Sequence, residues 1–250
     1  MSQKIAVVTG GGTGVGKAIT KALVADGYEV VVTGRREAVL RDAADAIDPA
    51  HVHPIACDVA DRAAVGELFA AVEKQFGRLD LLVNNAGVVD RPQRVDEMSL
   101  DRLNRMFAIN VVGAFLAARE AVKRMSTRHG GKGGSIVNLG SAASKLGSPS
   151  QYVDYAASKG AIDTMTVGLA LEVAAEGIRV NGIRPGIIDT DIHASGGIPD
   201  RAAQIAPNLP MKRPGTADEV AKAVKWLLSE ESSYTTGAII DVSGGRAILP

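Results

Sequence analysis

The chain has 250 residues, 46% of them apolar and 22% charged, with 28 basic residues balancing 28 acidic ones. That fits one large α/β domain with a sizeable core, although length alone would also permit two, and with balanced charge no basic tract or tail suggests nucleic acid or an anionic membrane as partner. No apolar run approaches the ~18 residues that span a bilayer, and the single cysteine, Cys57, excludes an intrachain disulfide.

The amino terminus, MSQKIAVVTG, enters a strand almost at once. No room is left for a signal peptide, so a cytoplasmic protein is expected. Ile5–Thr9 reads as a buried strand that breaks into a glycine turn, Gly10 to Gly16, followed by a helical run, Lys17–Asp26, and a second strand, Glu29–Thr33. This is a βαβ unit with a right-handed crossover. The spacing does not fit G-x-G-x-x-G. It fits T-G-x-x-x-G-x-G, as Thr9, Gly10, Gly14 and Gly16. Glycines let the backbone approach a ligand closely, and the helix that follows offers free N–H groups and a partial positive charge to a pyrophosphate.

The second strand ends in Thr33-Gly34-Arg35-Arg36, with no carboxylate at the turn. An acidic residue there would hold the ribose 2′-hydroxyl of NAD, whereas arginine accommodates the 2′-phosphate of NADP. Two guanidiniums match phosphate geometry, so the reading is NADP(H) over NAD(H); the alternative is a pair of surface charges at a helix start. His51–Ala56 is a third strand, with His51 and His53 on one face and no third metal ligand in sight. Cys57 behind it is a buried small side chain. Asp58 either meets an adenine or caps the helix that begins near Asp61. That amphipathic helix, Ala63–Phe76, precedes strand Leu79–Val83 and the segment Asn84-Asn85-Ala86-Gly87. The asparagine amides can tie strand backbones together, and Ala86 and Gly87 let a flat ring pass.

Ser99 caps a long helix, Leu100 to about Arg128, with Asn110 a partly buried, hydrogen-bonded amide midway. Strand Ser135–Leu139 leads to Ser141, where a strand's carboxyl end meets a loop. Tyr155 and Lys159 follow, one helical turn apart on one face. A unit charge about 4 Å from the phenol, at an effective dielectric near 20, is worth ~4 kcal/mol. That lowers the phenol by roughly three pKa units from about 10, making Tyr155 a usable acid and base. The helix runs to about Glu176, and strand Arg179–Ile183 ends in Arg184-Pro185-Gly186. From Ile187 to Pro214 the pattern weakens into Gly, Pro and Ala with a helical candidate at Pro199–Ile205. A lid over the substrate is expected there, with His193 facing either substrate or solvent. The mostly small residues of Asp189–Arg213 suggest no charged pocket. Helix Thr216–Ser229, with Trp226 on its apolar face, and strand Ala238–Val242 close the chain.

With these residues assembled, the chain resembles the short-chain dehydrogenase/reductase family along essentially its whole length. The resemblance rests on TGGGTGVG at Thr9–Gly16, NNAG at Asn84–Gly87, Asn110 in INVVG, Ser141 in VNLGSAAS, YAASK at Tyr155–Lys159 and RPG at Arg184–Gly186, in that order. It implies one Rossmann-type doubly wound domain over residues 1–250, a seven-stranded parallel sheet with helices on both faces, and a substrate loop over 187–214. It implies hydride transfer between a carbonyl and an alcohol, with Tyr155 as acid/base, Ser141 holding the substrate oxygen, Lys159 lowering the Tyr155 pKa and bonding the nicotinamide ribose, and Asn110 supporting a proton relay. The cofactor set it implies is Gly10, Thr13, Gly14, Val15 and Gly16, then Gly34, Arg35 and Arg36, then Asp58, Val59, Asn85, Ala86 and Gly87, with Tyr155, Lys159, Pro185, Gly186, Ile188 and Thr190 around the nicotinamide. It further implies a homotetramer or homodimer built on the two long helices.

Two departures stand out. A basic residue often precedes the middle glycine in NADP-preferring members, where this chain has Thr13, and Gly140 stands where the family often has serine. The later segments are similar to a bacterial branch near the sugar-dehydrogenase and ketoacyl-reductase members. The leading expectation is an NADP(H)-dependent carbonyl reductase or alcohol dehydrogenase acting on a small molecule. The alternatives are an NAD-linked sugar or polyol dehydrogenase and a non-catalytic dinucleotide sensor.

Overall fold

Short runs of Val, Ile and Leu become strands because a parallel sheet buried on both faces suits them. The computed structural model describes residues 4–248, apart from the side chains of His193 and Ser195. Its strands are β1 (Ile5–Thr9), β2 (Glu29–Gly34), β3 (Val52–Ala56), β4 (Leu81–Asn84), β5 (Gly134–Leu139), β6 (Ile178–Pro185) and β7 (Ile239–Val242). They form one parallel sheet of seven strands among the described residues, in the order β3-β2-β1-β4-β5-β6-β7. The winding reverses between β1 and β4. Parallel strands diverge there at their carboxyl ends, and the crevice they leave is where such sheets bind ligands.

The helices are α1 (Gly14–Ala25), α2 (Glu37–Ile47), α3 (Arg62–Phe76), α4 (Leu100–Phe107), α5 (Gly113–Met125), α6 (Ala143–Leu146), α7 (Val153–Val173), α8 (Ile192–Ser195), α9 (Arg201–Ile205) and α10 (Ala217–Leu228). Successive strand residues face opposite sides, so the sheet separates two cores. Val7, Leu82, Ile136 and Val180 pack with Phe69, Ala117, Ala121 and Met165 from α3, α5 and α7. Val8, Val32, Val83 and Ile183 pack with Ile19, Leu23, Leu40, Val220, Val224 and Leu227 from α1, α2 and α10. No described helix is long and apolar enough to cross a membrane.

Several expectations change. The expected helix from Leu100 to Arg128 is not uniform: α4 passes into a π-helical turn at Ala108–Val112 before α5, and a 3-10 turn, Thr127–His129, follows. Asn110 sits inside the π turn. Such turns widen the backbone locally and collect at functional sites. Trp226 is not on the apolar face of α10. It is 37% exposed, while Val220, Ala221, Val224, Leu227 and Leu228 form the buried stripe. α10 starts where it does because Thr216 and Glu219 form a capping box. Asp58 caps no helix; Asp61 accepts the N–H groups of Ala63 and Ala64 at the start of α3, and Asp58 instead accepts that of Ala60 at 3.0 Å. His51 and His53 are each engaged by a carboxylate, Asp48 at 3.0 Å and Glu29 at 2.6 Å. Cys57 is buried, and burial pushes its thiol up to about 11.

Candidate active site

The glycine turn is pinned across the β1/β4 crevice. Thr9 Oγ1 accepts the N–H groups of Asn85 and Ala86, both at 3.0 Å. The Asn85 amide donates to the carbonyls of Thr9 at 2.9 Å and Gly10 at 3.1 Å. Asn85 thus spends its side chain on the scaffold. The adjoining Asn84 donates to Asn138 on β5 and to the Ala114 carbonyl. Gly16 packs where no side chain fits: a Cβ there would lie 2.2 Å from the Gly10 carbonyl oxygen and 2.6 Å from Asn85 Nδ2. Gly14 has φ of +50°, a region that costs other residues energy. α1 therefore begins inside the turn, at Gly14, rather than at Lys17, with Thr13 as its N-cap residue making no side-chain cap. Its first N–H groups are left for a ligand. Val15 packs on the core beneath.

One cleft gathers the residues read as the adenosine half: Gly10, Thr13, Gly34, Arg35, Arg36, Asp58, Val59, Ala86 and Gly87 line it together, with Ile109 and Val88. Arg35 and Arg36 are exposed and make no ion pair with the described residues. The nearest acid in sequence, Glu37, is held by Arg41 one turn along α2. Thr190 returns to the turn from the other side, its Cβ 3.5 Å from where a Gly14 Cβ would stand.

Beyond the crevice lie the chemistry-bearing groups. Ser141 follows β5, and its Oγ accepts the Ala143 N–H at 3.1 Å. Burial, the larger effect, pushes the phenol of Tyr155 on α7 up, and the Ser141 hydroxyl draws it down. Here the structure corrects the sequence reading. Lys159 does not lower the phenol: its ammonium lies 5.8 Å from the Tyr155 ring centroid and donates to the Leu139 carbonyl at 2.7 Å. Spacing puts the two residues on one face, but the lysine's long stem carries its charge past the phenol to the end of β5. Lys159 is itself buried, and burial draws its ammonium down to about 8, opposed by Asp163 one turn further along.

Asn110 is 1% exposed. Its amide donates to the Val88 carbonyl at 3.0 Å and to Ser158 Oγ at 3.1 Å, and its Oδ1 accepts the Val88 N–H at 2.8 Å. Ser158 in turn donates to the Tyr155 carbonyl at 2.7 Å. The π turn thus ties the segment after β4 to α7. Pro185 and Gly186 end β6 beside the same opening: the Pro185 carbonyl accepts the Ala142 N–H at 2.9 Å, and Gly186 donates to Val242 at 3.0 Å. Ile188 is buried below and bridges to Gly215. Gly140 has a local reason: a Cβ would meet Asp163 Oδ1 at 2.9 Å, and Asp163 is held by Arg184. The expected role of His193 lies outside the described residues.

One feature was missed from sequence. Asp154, next to Tyr155 and 4% exposed, accepts a bidentate bond from Arg102 of α4 at 2.8 and 3.2 Å. Arg102 also donates to Arg91 O and Gln93 Oε1. The acid preceding the tyrosine was the available signal, but nothing in the spacing joins it to Arg102, one of several polar residues on α4. Asp154→Ala is expected to cost about 3–5 kcal/mol by leaving a buried guanidinium unpaired, read by chemical denaturation. A change below ~0.5 kcal/mol, typical of surface substitutions, would mean the pair does not hold α4 to α7.

The comparisons agree with this geometry. A family model described as enoyl-(acyl carrier protein) reductase matches residues 10–247. The uncharacterized oxidoreductase YgfF of Escherichia coli (strain K12) is 49% identical over 247 residues, covering 97% of this chain and 99% of that one. The chain belongs to the short-chain dehydrogenase/reductase family. This family member is also 34% identical over 253 residues to glucose 1-dehydrogenase 2 of Bacillus subtilis (strain 168), covering 100% of this chain and 97% of that one. Among solved structures, 3-ketoacyl-(acyl-carrier-protein) reductase from Brucella melitensis, complexed with NADH, superposes with a TM-score of 0.92 at 30% identity over 98% of both chains. The short-chain dehydrogenase/reductase described here is accordingly an oxidoreductase with the doubly wound sheet expected of it.

Proposed function

We propose that the protein reduces a carbonyl compound with NADPH, or runs the reverse oxidation, with Tyr155 as the acid/base. The observation that carries this reading is the buried Lys159 ammonium, 5.8 Å from the Tyr155 ring centroid and bonded to the Leu139 carbonyl at the end of β5, with Ser141 just beyond that strand. The cleft suits a dinucleotide: the Gly16 approach leaves no room for a Cβ, and two unpaired arginines stand where the second strand ends. Gly10, Thr13, Gly14, Val15 and Gly16 would hold the pyrophosphate, Gly34, Arg35 and Arg36 the 2′-phosphate, Asp58 and Val59 the adenine, and Asn85, Ala86 and Gly87 the ribose. Lys159, Pro185, Gly186, Ile188 and Thr190 would hold the nicotinamide half. When bound, that cofactor supplies or accepts the hydride. The chain's own residues orient it and move the proton. Ser141 holds the substrate oxygen and Tyr155 gives it a proton. The Lys159 ammonium, held on the Leu139 carbonyl, would donate to the ribose beside the nicotinamide.

That role sets a pH dependence. Burial places Lys159 near 8, so its charge is present below that pH and lost above it. For reduction, kcat/KM is expected to fall as pH rises through about 8, because kcat/KM reports groups of the free enzyme. A profile of NADPH oxidation between pH 6 and 10 against a ketone and aldehyde panel tests the reading. A rate flat through that range, or no turnover of any carbonyl, counts against it.

The NAD-linked sugar dehydrogenase reading is favoured by one observation, the NADH held by the Brucella structure. Against it, Glu37 at the second strand's end is tied to Arg41. The intact Ser141, Tyr155 and Lys159 set argues against a non-catalytic sensor. The segment 187–214 serves as the substrate loop in this reading. Homo-oligomer formation is supported by the large apolar side chains that α5 and α7 leave outside, including Phe115 at 52% and Leu171 at 79% exposure.

A further inference from the structure

We infer that Arg102 of α4 is a positioning residue for the reaction: it joins the segment that leaves β4 to the first turn of α7, and so builds the seat on which the substrate loop closes beside Tyr155. This deepens the carbonyl-reductase reading and rests on it. Arg102 is buried, and its guanidinium bonds in two directions. Nε and Nη2 donate to Asp154 at 2.8 and 3.2 Å. Nη1 donates to the Arg91 carbonyl at 2.8 Å and to Gln93 Oε1 at 3.0 Å. Asp154 precedes Tyr155 on α7. Arg91 and Gln93 lie between β4 and α4, a few residues beyond Ala86 and Gly87 of the cofactor cleft. A planar fork fixes the angle and separation of the groups it bonds, whereas a lysine ammonium is a single rotatable point charge.

The segment after β4 is held along its length. Asn110 bonds both the N–H and the carbonyl of Val88, Arg105 pairs with Asp90, and Arg102 takes Arg91 and Gln93. Of these three residues, Arg102 is the one whose bonds continue to an acid of α7.

The substrate loop lands on what Arg102 fixes. The Gln93 N–H donates to the Gln151 carbonyl at 2.9 Å. Gln151 Oε1 accepts from Arg201 of α9 at 2.8 Å, and the same guanidinium lies 4.9 Å from the Tyr152 ring centroid. Earlier in the loop, Gly197 sits against Arg91: a Cβ there would lie 3.1 Å from Arg91 Cγ. The backbone just before α7 is strained, with φ of +48° at Ser148 and +59° at Ser150. Residues other than glycine keep such angles only where their surroundings hold them, and the bonds that meet at Gln151 supply that hold. A simple staple between α4 and α7 needs Asp154 alone. The bonds to Arg91 and Gln93 carry the influence of Arg102 on to the loop.

The test compares four variants with the wild type. Gln93→Leu keeps the Arg102–Asp154 pair and removes one bond towards the loop. Arg201→Gln removes the charge by which the loop is anchored. Arg102→Lys keeps the charge beside Asp154 and loses the fork. Arg102→Met combined with Asp154→Leu replaces the pair by apolar side chains and leaves no unpaired buried charge, a change that folded proteins often tolerate. NADPH oxidation against the ketone and aldehyde panel gives kcat and KM. Hydrogen–deuterium exchange on NADPH-saturated protein reads residues 147–151 and 187–214 independently of turnover. Gln93→Leu, Arg201→Gln and Arg102→Lys are each expected to raise KM about tenfold, the size of one charge-assisted hydrogen bond, with NADPH affinity close to wild type. The double variant should also lower kcat by about 10²-fold, the cost of misplacing a reacting group by ~1 Å. All four should exchange faster in both segments and at the wild-type rate in the turn from Gly10 to Gly16. Wild-type KM and exchange in Gln93→Leu and Arg102→Lys would reduce Arg102 to a staple and overturn the proposal. If the wild type reduces no carbonyl, the reductase reading falls and exchange decides alone: faster exchange in Gln93→Leu upholds the seat built by Arg102, and unchanged exchange overturns it.

Discussion

Tyr155→Phe is expected to lower kcat for carbonyl reduction by about 10²- to 10⁴-fold, the range for loss of a positioned general acid, with NADPH affinity close to wild type. The substitution removes one oxygen from a ring that α7 holds in place. Tyr152, the nearest phenol in sequence, faces Arg201 instead. Because burial raises the phenol rather than lowering it, Tyr155 rests in its protonated form at neutral pH. That state suits proton donation to a nascent alkoxide and makes reduction the direction the geometry favours. Single-turnover kinetics with preformed protein–NADPH complex reads the chemical step directly. A variant within about tenfold of wild type, far short of a lost general acid, would remove Tyr155 from the mechanism.

The second large effect belongs to the cofactor. Replacing Arg35 and Arg36 together by Ala is expected to weaken NADPH by about 10²- to 10⁴-fold, since hydrogen bonds to charged groups contribute ~1.5–3 kcal/mol each, and to leave NADH nearly unchanged. Both side chains are exposed and unpaired among the described residues, so their removal breaks no internal contact and the change in affinity reports the 2′-phosphate alone. Equilibrium titration of the double variant with both dinucleotides is the measurement. Equal losses for NADPH and NADH would make the arginines general surface charges.

How much of this was legible beforehand follows from the range of each interaction. The strands were readable because a sheet buried on both faces needs continuous Val and Ile runs, such as Val30–Val32. The glycine turn was readable because its demands fall on the glycines themselves: Gly14 holds φ of +50°, and Gly16 lies against the Gly10 carbonyl and Asn85. Lys159 misled because helical spacing fixes which face a residue occupies, not where a four-carbon stem ends; the Leu139 carbonyl decided that. The π turn around Asn110 was hidden because an extra residue in a helix leaves no compositional mark, and its partner Val88 lies 22 residues away. Trp226 misled through size, since a large ring on α10 can rest at the edge of a stripe that Val224 and Leu228 fill. The Arg102–Asp154 pairing joins residues 52 positions apart, and only the packing of α4 against α7 brings them together.

The most direct test of the central assignment is calorimetric titration of the purified protein with NADPH and NADH side by side. NADPH is expected to bind at least about tenfold tighter, one charge-assisted contact to the 2′-phosphate sufficing for that difference. Tighter binding of NADH would contradict the role given to Arg35 and Arg36, and binding of neither would contradict the dinucleotide cleft itself.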